Sequence, residues 1–249
     1  MGIGDTDDSR NAGEYVMKVA IMQPTYLPWL GYFNMMAQVD VFVLLDNVQF
    51  AKKSWQQRNR IKTAQGELML TVPVLSAQRF HQKISETLIN TESQFAKKHL
   101  KTIEFAYAKA PYLDTYLPQV RDLIGSGEDH LADFTGQLIR WFADTVGIET
   151  SIIRGSELAV TGEGTSLTVH QLTELGATVF IAAKGSRPYV STEPAFAEAG
   201  IEVVFQDFHH PVYDQLHGPF ISHLAALDAL LNLGADHTRE LIAGSSLSG

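Results

Sequence analysis

The sequence predicts an α/β protein, a mostly parallel sheet in Rossmann-like layering with an inserted helical subdomain. Three observations lead there. Short β-branched runs alternate with stretches of helical period at both ends of the chain. Glycines stand just past helix-like stretches, at Gly147, Gly176 and Gly200, where a left-handed cap is easiest for a residue without a side chain. Past Asp40, the run Val39–Leu45 is apolar without alternation, as a strand buried on both faces requires.

Taken in order, residues 1–15 carry Asp5, Asp7, Asp8 and Glu14 among glycines with no apolar period, and read as a flexible leader. Residues 16–249 read as a single domain that opens with the strand Met17–Ile21. In Gln23 through Trp29, Pro24 and Pro28 remove backbone donors and hold an extended turn. Gly31 releases the chain into a short helix, about Tyr32–Gln38, and Val39–Leu45 completes a β-loop-α-β unit. A hairpin follows, Arg58–Thr63 and Leu68–Val74 around a turn at Ala64–Glu67, and then a weaker strand at Lys83–Ile89. Helices at Ser93–Ala108, Leu113–Ile124 and Asp129–Val146 make the insertion at about residues 93–147, the first stopping before Pro111. The last third alternates strand Ser151–Ile153, helix Thr165–Leu175, strand Thr178–Ala182, helix Thr192–Glu198 and strand Ile201–Phe205. One or two helices from about Pro219 to Ala243 close the chain.

Composition removes whole classes of function. With 45% hydrophobic and 19% charged residues in 249, the chain is globular. It has no cysteine, which excludes a thiol nucleophile, a zinc finger, an iron–sulfur cluster and disulfides. A formal charge of −9 argues against a nucleic-acid partner. No apolar run reaches the roughly 18 residues of a membrane span, and no signal peptide is indicated, so the expectation is a cytoplasmic protein without a membrane partner.

Ligands of open parallel sheets bind beyond the carboxyl ends of the strands. Four polar loops leave at that end: Gln23–Leu30, Asp46–Arg60, Lys184–Ser191 and Asp207–Gln215. In the second, Asp46, Gln49, Lys53, Trp55, Arg58 and Asn59 combine an acid, cations, an indole and amides. That mixture suits phosphate or carboxylate recognition, and equally a solvated hairpin face whose Trp55 covers a core edge. Lys184 begins a glycine-containing loop that matches neither a P-loop nor a dinucleotide fingerprint. In the fourth loop His209 and His210 are candidates for a general base, with Tyr213 and Gln215 beside them. His210 is equally a packed turn residue before Pro211, and no third ligand at a diagnostic spacing supports a metal. His99, His130 and His170 lie on expected helices and read as surface residues. The loops' common position predicts that Asp46, Arg58 and Asn59 share one pocket with the His209–Gln215 segment.

The stretches Val19–Phe33, Asp40–Val43, Asp46–Phe50, Ser54–Lys62 and Leu70–Val74 resemble the WbqC-like protein family, as do Gly200–Gln206, His210-Pro211, Tyr213, Gln215 and Leu227–Gly234. The Trp-Gln-x-Arg-Asn-Arg string at Trp55–Arg60 is the most specific of them. The family pattern usually has histidine before the Gln-Pro pair, where this chain has Met22. The resemblance implies transfer of an acyl or aminoacyl group onto the amine of an amino sugar or related small molecule, in O-antigen or specialised-metabolite biosynthesis. The donor would be a carrier-protein thioester on a phosphopantetheine arm, with no other cofactor. His210 or His209 would take the proton and Asp46 would orient the acceptor. Gln23, Tyr26, Trp29 and the loop residues above would bind substrate. A fainter similarity to HUP-type nucleotidyltransferases and ligases offers an ATP-using alternative, although Thr25–Gly31 lacks their phosphate-binding histidines. A non-catalytic carrier- or ligand-binding scaffold is the third reading.

Overall fold

The computed structural model describes residues 16–244, and the leader expected over residues 1–15 lies outside them. In chain order the elements are β1 (Lys18–Met22), α1 (Leu30–Met36), β2 (Val41–Leu44), β3 (Arg58–Thr63), β4 (Gly66–Thr71), α2 (Phe95–Ala106), α3 (Leu113–Ile124) and α4 (Leu131–Thr145). Then come β5 (Ser151–Arg154), α5 (Gly164–Glu174), β6 (Val179–Ala182), α6 (Arg187–Val190), α7 (Pro194–Glu198), β7 (Glu202–Phe205) and α8 (Leu227–Ala243). Five strands form one sheet in the order β5-β2-β1-β6-β7, every pair parallel, and β3 with β4 is a separate antiparallel hairpin.

Period-two alternation divides the sheet between two apolar layers. Ala20, Phe42, Leu44 and Ile181 face α1, α8 and the three inserted helices. Val19, Val43, Phe180 and Ala182 face Leu172 of α5 and Phe196 of α7. The inserted helices share the first core, with Phe142 of α4 stacked on Phe33 of α1 at 4.2 Å. Two expected elements differ. Lys83–Ile89 is not a strand but a single 3-10 turn flanked by isolated bridges, so its backbone is satisfied without a ladder. The tail is irregular up to Ala226, and α8 is broken at Gly234, whose φ of 81° places it in the left-handed region.

At the end of β2 the chain turns through Asp46, which is buried. Its carboxylate accepts from Arg154 Nε at 2.7 Å, from the Ser156 N–H at 2.8 Å and from Ser156 Oγ at 2.8 Å. Arg154 also pairs with Asp133 of α4. The acid thus latches β2 to the edge strand β5 and to the inserted helices.

Tyr26 is fully buried, and its hydroxyl meets His99 Nδ1 at 2.9 Å. His99 is therefore a core residue, contrary to the surface position its helix suggests, because α2 turns the face bearing Phe95 and His99 onto Phe134 and Tyr26. Burial lowers its pKa to about 4, so the neutral ring is the folded form.

Two predictions follow from these buried groups. Asp46→Ala leaves the Arg154 guanidinium and the Ser156 N–H without their acceptor, and urea unfolding should lose about 3 kcal/mol; an unchanged midpoint contradicts the latch. His99 has a folded pKa below its unfolded value near 6.5, so its contribution is complete above that value and is lost as pH falls toward 4. The loss is roughly 3 kcal/mol. Denaturation curves between pH 7 and 4 should be flatter by that amount in His99→Gln, and parallel curves contradict the assignment.

Candidate functional site

β1 and β6 adjoin at the point where the strand order reverses, one leading toward β2 and the other toward β7. Such a reversal opens a crevice at the strands' carboxyl ends. A cavity of about 710 Å³ lies there. Gln23 and Thr25 after β1, Ser54 and Gln56 from the loop before β3, and Thr165 and Thr168 of α5 supply its polar wall. The indole of Trp55, 50% exposed, and the ring of Tyr189, 76% exposed, also line it. Gln56 Nε2 donates to Gln23 Oε1 at 2.8 Å, which fixes both amides. Among the described residues no charged side chain lines this basin.

A smaller chamber of about 290 Å³ shares Met22, Thr25 and Trp55 with the basin and adds Trp29, Tyr32, Asn59, Arg60 and His223. Trp29 folds back over Gly31, where a Cβ would come within 2.1 Å of the indole, so only glycine admits this placement. The His223 ring stacks on Trp29 at a centroid distance of 4.9 Å. Its backbone is left-handed, with φ of 57°, a conformation costly for a residue with a side chain. Arg60 NH2 holds that turn by donating to the His223 carbonyl at 3.2 Å, while NH1 pairs with Glu67 at 2.7 Å and the guanidinium lies over Trp55. Asn59 braces the wall by donating to the Leu27 carbonyl at 2.6 Å. The chamber therefore presents an imidazole and a guanidinium in an aromatic setting.

A buried polar network holds the hairpin and the His223 segment together. Lys62 on β3 is buried, and its Nζ donates to Gln215 Oε1 at 3.1 Å and to the carbonyls of Gly218 and Pro219 at 3.2 and 2.6 Å. Its N–H donates to the Tyr107 hydroxyl, which donates to Asp228. Tyr213 donates to the other Asp228 oxygen at 2.8 Å. Burial raises the Asp228 pKa, opposed by these hydroxyls and by Lys62.

The shared pocket expected for Asp46, Arg58, Asn59 and the His209–Gln215 segment is not formed. Gln23, Trp29, Trp55 and Asn59 come together at the basin and chamber. Asp46 is consumed by its latch, Tyr26 by the core, and Tyr213 and Gln215 by the network. Gln49 bridges to Lys83, Lys53 anchors its turn through its backbone N–H on Gln57, and Arg58 opens β3 opposite Thr71. Lys184 lies 3.6 Å from Asp207, and His209 is exposed beside that same acid. His210 lines a separate cavity with Asn34 and Gln38, because its ring packs behind His223 at 4.8 Å. Its Nδ1 contacts the Pro211 carbonyl, its Nε2 is buried without a partner, and burial lowers its pKa.

His223 is the group that sequence reasoning missed. It falls in a stretch with no motif, and its backbone turn is the only local sign of it. Glu128, His130 and Asp133 also converge, with potential ligand atoms within 4.8 Å of one another, but Asp133 is already paired with Arg154. Among the described residues no helix is long and apolar enough to cross a membrane.

No solved structure matches the chain. A relative from Mycobacterium tuberculosis (strain ATCC 25618 / H37Rv), described as uncharacterized protein Rv1507c, is 34% identical over 221 residues, covering 88% of this chain and 95% of the relative. The model of the WbqC-like protein family matches residues 23–240. With nearly the whole folded chain matched, the protein belongs to the WbqC-like protein family.

Proposed function

We propose that the protein is an amide-forming acyltransferase acting on the primary amine of an amino sugar or related small molecule. The observation that carries this reading is a pair of adjacent cavities that share Met22, Thr25 and Trp55, a largely apolar basin with hydroxyls and amides along one wall and a chamber holding His223 and Arg60. A polyhydroxylated ring suits the basin, because the Trp55 and Tyr189 faces take its apolar C–H side while Gln23, Gln56 and the α5 threonines take its hydroxyls.

In the chamber the amine nitrogen attacks the thioester carbonyl, forming the C–N bond. Arg60 offsets the negative charge on the carbonyl oxygen. His223 accepts the proton shed by nitrogen; the C–S bond then breaks, and the imidazolium gives that proton to the departing thiolate, which leaves as the free thiol. This assigns the base to His223 in place of His210, which lines neither the basin nor the chamber and whose Nε2 is buried. Direct attack needs no enzyme nucleophile, which fits a chain without cysteine.

Mass spectrometry of amino sugars incubated with acyl thioesters of N-acetylcysteamine tests the reading; an added acyl mass supports it, and its absence across acyl groups defeats it. His223→Ala should lower kcat roughly 10² to 10⁴-fold with KM little changed, and His210→Ala much less. Equal losses in the two variants contradict the assignment.

The ATP-using alternative predicts the opposite ligand. Among the described residues the basin offers a triphosphate no cationic side chain, so ATP with magnesium should bind no more tightly than about 1 mM. Micromolar affinity by calorimetry, or pyrophosphate release with a carboxylic acid, favours the nucleotidyltransferase instead.

A further inference from the structure

A groove of about 480 Å³ separates the hairpin tip from α2, lined by Thr63, Leu68, Lys98, Lys101 and Phe105 among others. Phe105 sits in a regular helix yet is 82% exposed, and Leu68 across the groove is 42% exposed. Large apolar side chains so placed mark interaction surfaces when charged groups rim them. Lys98 and Lys101 lie one turn apart on α2 and make no ion pair among the described residues. The nearby acids are engaged, Glu67 with Arg60 at 2.7 Å and Glu104 with Arg121 at 3.8 Å. This cationic, apolar strip runs against the chain's net charge of −9.

We propose that the groove docks an acidic helix of the carrier protein that delivers the acyl thioester; the proposal rests on the amide-forming reading above. An amphipathic helix would set its apolar side chains against Phe105 and Leu68 and its carboxylates against Lys98 and Lys101. The chain's overall negative charge disfavours an acidic partner over most of its surface, and in this groove two lysines flank exposed apolar side chains, so charge and apolar complementarity coincide here. Delivery is short. Thr63 in the groove and Arg60 in the chamber are three residues apart on β3, about 10 Å at strand rise, and their side chains leave opposite faces of the strand, so an extended phosphopantetheine arm would round the hairpin edge to reach the chamber.

The test compares one acyl group on two donors, an acidic acyl carrier protein and N-acetylcysteamine, with wild type, the Lys98→Glu/Lys101→Glu double variant and Phe105→Ser. All three positions face solvent, so melting temperatures should be unchanged. Turnover per KM with the carrier-borne donor should fall about tenfold or more while the free thioester is used equally well. Equal loss with both donors, or no loss with either, overturns the docking surface and leaves the acyltransferase reading standing. If neither donor yields amide, that reading fails, and fluorescence anisotropy of the labelled apo carrier decides the surface by itself. Binding weakened about tenfold by charge reversal supports it. No binding, preferential binding to phosphatidylglycerol vesicles, or a Phe105-dependent dimer in sedimentation overturns it.

Discussion

The ammonium of Lys62, buried beneath the 215–219 turn, is the constraint on which the site depends. A buried charge without partners is costly enough to unfold a marginal domain, since removing one member of such a set costs about 3–5 kcal/mol. Here three oxygens receive its protons, and the same strand's N–H begins a chain through Tyr107 to Asp228 that Tyr213 closes. Burial lowers the Lys62 pKa and the Asp228 charge opposes that shift. The consequence is positional. The hairpin is a sheet of its own that packs Ile61 and Leu70 into the first core, and it supplies Asn59 and Arg60 while the segment tied to it supplies His223.

The rest of the cleft is set by the sheet. The reversal of strand order between β1 and β6 places the Gln23 loop opposite α5 and α6, and the Asp46 latch keeps the β2 and β5 ends in register below it. Gly31 lets Trp29 lie flat on the first turn of α1, and the indole then becomes the surface on which His223 stacks. Rigid aromatic walls and pre-paired amides leave little to order when a ligand enters, which is the condition for placing a nucleophile against a carbonyl.

Much of this architecture was legible in the residues. Leu113–Ile124 and Arg58–Thr63 have the bounds their periodicity indicates, because apolar spacing and flanking turn residues point the same way there. Lys83–Ile89 reads as a weak strand, but it meets Gln49, Val74 and His130 only through single bridges on either side of a 3-10 turn, so no ladder forms. The loops Gln23–Leu30 and Asp46–Arg60 do reach the cleft, as their position past parallel strands implies. What the residues do not disclose is which polar groups are spent on one another. Asp46, Tyr213 and Gln215 look chemically available until Arg154, Asp228 and Lys62, each far away in sequence, are brought to them. His223 shows the converse, a plain loop residue made prominent by a left-handed turn and a distant indole.

A crystal structure of the protein with an amino sugar and a non-hydrolysable thioester analogue tests the central claim most directly. The sugar ring should lie in the basin against Trp55, with its amine nitrogen within about 3.2 Å of a His223 ring nitrogen and the analogue carbonyl beside it. An amine bound in the His209–His210 cavity, with the Trp55 basin empty, contradicts the account.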